Sequence, residues 1–102
     1  MTKQVSLSVN DVPITLDYFV QGFIDHTLGG MLAALKGTGE IKTLNVIIEG
    51  DKVTINLNND SLPINYFVNE IVRNTVVGMV SPLKGVSQIN RLNINTIRVL
   101  PM

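Results

Sequence analysis

An α+β fold follows from three features of this 102-residue sequence: an internal repeat, runs of period-two hydrophobicity, and two long segments with helical spacing of apolar residues. The repeat is the strongest of them. Tyr18-Phe19-Val20 running to Leu35-Lys36-Gly37 returns 48 positions later as Tyr66-Phe67-Val68 to Leu83-Lys84-Gly85. The same shift pairs Val5 with Val53, Asn10 with Asn58, Thr27 with Thr75, Gly30 with Gly78, Met31 with Met79 and Leu44 with Leu92. Ungapped, it gives 14 identities over 54 overlapped pairs, and most other pairs exchange like for like, as Leu7 with Ile55. The chain is therefore read as 1–102, one domain of two pseudo-repeats, about 3–50 and 51–98.

In chain order, Val5, Leu7 and Val9 alternate with Ser6, Ser8 and Asn10, the pattern of a half-buried strand. Asn10-Asp11 ends it, Pro13 suits a helix entry, and Thr15 or Asp17 supplies a cap. The first helix is expected over 16–36, with Leu16, Val20, Phe23, Ile24, Thr27, Met31 and Leu35 on its buried stripe. Gly37 reads as its left-handed C-cap, with Lys36 at the negative helix end, and Lys84-Gly85 reads as the copy of that device. Leu44, Val46 and Ile48 form a second strand, which turns at Gly50-Asp51 into Val53, Ile55 and Leu57 as a tight hairpin. A second helix is expected over 63–80, burying Phe67, Ile71, Val72, Thr75, Val76 and Met79 before Ser81-Pro82 stops it. Leu92, Ile94 and Thr96 begin a fourth strand that runs on through Val99.

Two βαβ units joined by a hairpin and built from one 48-residue duplication interleave most simply as a ferredoxin-like split βαβ: two helices on one face of a four-stranded antiparallel sheet. Its strand order would be four-one-three-two, with residues 5–9 and 53–57 as central neighbours. A domain-swapped dimer of the same units is the alternative. In that order the last strand is an edge, and Ile97 and Val99, standing where the first copy has Glu49 and Asp51, would invite a partner.

Composition narrows the function classes. Eight basic and eight acidic residues balance, and no run of either sign is present, so the electrostatic footprint of a nucleic-acid or anionic-membrane binder is missing. No cysteine means no disulfide and no thiolate metal site. There is no 18-residue apolar run and no pattern of a signal peptide, so a soluble cytoplasmic protein is expected. The positive mean hydropathy exceeds what one small core hides, which points to self-association.

No residue set spells out a catalytic, cofactor or metal site. His26 and Asp25 suggest a general base oriented by a carboxylate, but helix neighbours point about 100° apart. Tyr18 and Tyr66 read as packed aromatics with wet hydroxyls, Met31 and Met79 as core filling, and the glycines lack phosphate-loop spacing. The outward sheet residues Ser6, Ser8, Asn45, Thr54, Asn56, Asn93 and Asn95 are polar and uncharged, without the aromatics an RNA-binding sheet uses.

The helices carry the anomaly. Thr27 to Leu35 and Thr75 to Leu83 contain no acidic residue and no base, so the C-terminal halves of both helices are apolar all round and need more cover than a sheet and one neighbouring helix provide. Leu28, Leu32, Val76 and Val80, together with Ile97 and Val99, are the candidates for a subunit interface or an apolar-ligand site. Gly29, Gly30, Ala33, Ala34 and Gly78 would let helix backbones come close. The expected function is a non-enzymatic, homo-oligomeric binding or scaffold module without cofactor. A carrier of a small apolar ligand, or a small enzyme with a subunit-shared site including His26, are the alternatives.

Overall fold

The computed structural model describes residues 2–36 and 40–99; the cap read at Gly37, with Thr38 and Gly39, lies outside the described residues. The elements are β1 (Thr2–Val9), β2 (Val12–Ile14), α1 (Tyr18–Lys36), β3 (Thr43–Glu49), β4 (Lys52–Leu57), β5 (Asp60–Ser61), α2 (Tyr66–Val80) and β6 (Arg91–Val99). All six strands form one antiparallel sheet in the order β2-β1-β6-β3-β4-β5.

Two tight turns decide that order. Asn10 and Asp11 have φ of 51° and 66°, Asn58 and Asn59 have 51° and 70°, and the pairs Val9↔Val12 and Leu57↔Asp60 close two-residue hairpins around them. Positive φ at both central residues is the type I′ pattern, which matches strand twist and favours asparagine and aspartate. Each hairpin folds β2 onto β1 and β5 onto β4, occupying one edge of each. The Gly50-Asp51 hairpin puts β3 on the other edge of β4. With β3 along one edge of β4, β5 on the Asn56–Leu57 end of the other and the Asn69 side chain on the Val53 amide, β4 has no free edge for β1.

The ferredoxin-like order therefore does not form. In both arrangements each strand–helix–strand unit leaves a one-strand gap between its parallel strands. The ferredoxin-like sheet fills that gap with the other unit's first strand, whereas here the other unit's last strand fills it. Residues 5–9 and 53–57, expected as central neighbours, are separated by β6 and β3. The last strand, expected at an edge, is central between β1 and β3. Every register repeats on the 48-residue shift: Leu7↔Ile94 matches Ile55↔Val46, and Val46↔Ile94 maps onto itself. A pseudo-twofold thus passes through the Val46–Ile94 pair, perpendicular to the sheet.

One sheet face is the core face, and it is the one the alternation predicts. Val5, Leu7, Val9, Leu44, Val46, Ile48, Val53, Ile55, Leu57, Leu92 and Ile94 are all buried against Ile24, Leu28 and Leu32 of α1 and Val72, Val76 and Val80 of α2. The helix α1 lies along β1 and α2 along β4, so the two helices cover the flanks of one face.

Thr96 breaks this pattern where its repeat mate is Ile48. Its hydroxyl is buried and has no hydrogen-bond partner among the described residues. An unsatisfied buried polar group costs about 1–3 kcal/mol. Thr96→Val keeps the branched shape and removes the hydroxyl, so it should raise the urea midpoint at constant m, by about 1–2 kcal/mol of stability. An unchanged or lowered midpoint would show that the hydroxyl is satisfied.

Candidate functional site

The surface that needs explaining is the outer side of the helical layer, and the inner contacts of the helices fix which residues stand on it. Asp17 Oδ1 accepts from the Val20 amide and Asn65 Oδ1 from the Val68 amide, both at 2.8 Å, so repeat-matched N-caps start the two helices. One turn on, Gln21 Oε1 accepts from the Val5 amide at 3.4 Å and Asn69 Oδ1 from the Val53 amide at 2.9 Å. These are strand amides with no partner strand, because β2 and β5 are too short to reach them. The helices thus cover the strand edges with side chains.

A further contact locks the roll of α1. Asp25, 1 % exposed, receives Arg98 Nε on Oδ1 at 2.9 Å and Arg98 Nη2 on Oδ2 at 3.1 Å, a bidentate pair. Gly29 makes room for it, since a Cβ there would lie 2.8 Å from Arg98 Nη2. At the equivalent place in the other half, Arg73 Nε donates to the Gly50 carbonyl at 2.9 Å.

With the inner face set by Gln21, Asp25 and Asn69, the helices are rolled by about one residue, or about 100°, from the stripes the sequence suggests. Ile24 and Val72 are buried as expected, whereas Phe23 and Ile71, expected beside them in the core, are exposed. Tyr18 (92 % exposed), Phe19 (74 %), Tyr66 (80 %) and Phe67 (67 %) stand outside, so the reading of the tyrosines as packed aromatics is corrected. All five aromatic residues of the chain are exposed. Phe19 and Phe23 touch, their ring centroids 6.2 Å apart. No exposed residue of either helix, among the described side chains, is Asp, Glu, Lys or Arg. A surface helix ordinarily puts its charges on that side.

The candidates drawn from the sequence are placed differently. Leu28, Leu32, Val76 and Val80 are buried in the chain's own core. Ile97 is 43 % exposed on the open sheet face, and β6 is paired on both sides; the Val99 side chain lies outside the described residues. Asp25 is buried against Arg98 while His26 is exposed. Lys84-Gly85 sits in a turn beyond α2, because Pro82 cannot continue the helix; Gly85 has φ of 90° there. The residues the sequence reading missed as surface are Phe19, Phe23, Phe67 and Ile71. Their signal was the Tyr-Phe pair itself, repeated at the start of each helix beside a complete apolar stripe that needed no rings.

Other surfaces offer less. On the open sheet face Asn45 Nδ2 donates to Asn93 Oδ1 at 2.7 Å and Asn95 Oδ1 at 2.8 Å, while Asn56 Nδ2 donates to Asn45 Oδ1 at 3.1 Å. These amides engage one another. An apolar cavity lined by Leu28, Met31, Leu32 and Val72 measures about 10 Å³, the room of roughly one water against the roughly 300–1,000 Å³ of a ligand pocket. No group of three His, Cys, Asp or Glu among the described residues is placed to hold a metal ion, and no described helix is long and apolar enough to cross a membrane. No family model matches the chain, and no curated protein or solved structure is significantly similar to it.

Proposed function

We propose that this chain is a non-enzymatic binding or scaffold module that works as a homo-oligomer, its two halves derived from one duplicated unit. The aromatic outer side of the helical layer, where the half-exposed Glu70 lies beside Phe67 and Ile71 and no fully exposed described side chain of either helix is Asp, Glu, Lys or Arg, carries the reading. An exposed apolar cluster at the start of each helix calls for cover, because leaving large apolar side chains in water forfeits about 1.5–3 kcal/mol each. The interface reading is preferred to an apolar-ligand carrier because the apolar cavity beneath the helices has room for about one water, while the larger hollows, about 260 Å³ beside Leu35, Leu62 and Val68 and about 380 Å³ beside Phe67, Glu70 and Ile71, are open grooves on the surface. Native mass spectrometry of the purified chain is the test, since it reports stoichiometry and co-purified ligand together. A dimer or larger closed assembly is expected. A chain that stays monomeric at high concentration with nothing bound would overturn the proposal.

A further inference from the structure

Resting on that homo-oligomeric reading, we infer that the partner is a second copy of this chain laid helical layer on helical layer, with the exposed aromatic residues at the N-terminal ends of both helices forming the contact. Four observations carry it. Phe19 and Phe23 stand opposite Ile24, Leu28 and Leu32 around α1, and Phe67 and Ile71 stand opposite Val72 and Val76 around α2, so both patches face away from the sheet on the same side of the molecule.

The area is of the right size. A fully bare aromatic ring presents about 200 Å². At exposures of 53–92 %, the five aromatics offer on the order of 700 Å², before Ile71 is added. A standard-size interface takes about 800 Å² from each partner.

The glycines give an independent indication. Gly29 is accounted for inside the chain by Arg98, but a Cβ on Gly30 or Gly78 would meet nothing within 4 Å. Gly30 lies inside α1 and Gly78 in the last turn of α2; both are exposed and matched in the repeat, where alanine would make the better helix. No contact within their own chain excludes a Cβ there, and the open space would admit a helix from a second copy at close range.

Symmetry completes the case. The pseudo-twofold through Val46–Ile94 exchanges the two patches. Turning a second copy over about the line joining them sets patch on patch at both ends at once, a closed isologous contact that does not propagate. The result is a body of four layers: sheet, helices, helices, sheet.

The test compares the wild-type chain with Phe19→Glu/Phe67→Glu and with Gly30→Leu/Gly78→Leu by native mass spectrometry and light scattering, with far-ultraviolet circular dichroism as the folding control. The wild type should be a dimer, and both double variants should be monomers with undiminished helical signal. The glycine pair keeps the test sharp if the charged pair unfolds, because leucine favours the isolated helix and so separates contact from folding. A wild-type dimer that survives both substitutions overturns the face while sparing the homo-oligomeric reading. A wild-type monomer overturns both, and so does a monomer that binds neutral phosphatidylcholine vesicles through the same residues.

Discussion

Arg98→Ala should be among the most damaging single substitutions in this protein, costing about 3–5 kcal/mol of a total that for a domain of this size is about 5–15 kcal/mol. The reason is what it leaves behind. Asp25 is 1 % exposed and shares a bidentate pair with the guanidinium, which is itself 19 % exposed. Removing the cation leaves a carboxylate in an apolar layer, beside Leu28 and Ile24, without its principal counter-charge. The double variant Asp25→Leu/Arg98→Leu removes charge and counter-charge together and should be far milder, since apolar replacement of a buried pair is often near neutral. Chemical denaturation of the three proteins measures the difference. A loss under about 1 kcal/mol for Arg98→Ala would mean that the pair contributes no more than an exposed salt bridge.

Asn58→Ala should cost about 2–3 kcal/mol, and Asn10→Ala about as much. Asn58 Oδ1 accepts from the amides of Lys42 at 2.8 Å and Thr43 at 3.1 Å, and its Nδ2 donates to the Glu40 carbonyl at 2.9 Å. Asn10 repeats the set on Asn90, Arg91 and Gln88 at 2.9, 3.0 and 2.7 Å. Each side chain therefore ties the hairpin that ends one strand to the loop that begins another. Each backbone also sits at φ of 51°, where an ordinary Cβ is strained by about 1 kcal/mol or more. Glycine separates the two causes: Asn58→Gly relieves the backbone and loses the three bonds, so it should fall between alanine and wild type. Because Asn10 and Asn58 lie at opposite ends of the sheet with no shared partner, their losses should add. Strong non-additivity, or an alanine no worse than glycine, would refute this account.

The strands and their faces were legible because period two admits one solution once a face is buried: Val5, Leu7 and Val9 go in and Ser6 and Ser8 go out. The helix start was legible to within a turn, with Thr15 or Asp17 as the cap, and Asp17 is the one that takes the Val20 amide. The strand order was not, because Asn10-Asp11 is compatible with a strand end before a helix and with a type I′ turn into three more strand residues. Choosing the first left β1 and β4 with free edges and so permitted the wrong sheet. The helix roll was hidden in a different way. Phe19, Phe23, Ile24, Leu28 and Leu32 leave apolar residues on most sides of α1, so periodicity could not select the buried one. What selects it is Asp25 meeting Arg98, 73 positions away. The repeat gives no hint of that pair, since its mates are Arg73 and Gly50. The candidate surface suffered accordingly, with Leu28 and Leu32 offered in place of the rings that the true roll exposes.

The pairing of β1 with β6 bears on how the chain can fold. Its register, Thr2↔Val99 through Val9↔Leu92, is that of β4 with β3 after the 48-residue shift, but the β3–β4 pair is closed by two residues and the β1–β6 pair by the whole intervening chain. The short hairpins form from local encounters. The β1–β6 ladder must wait until both units exist, and it carries the largest loop-closure entropy in the molecule. Topologically the protein is a ring of two equal units with one link omitted, and its slowest search is for the partner that the missing turn would have supplied.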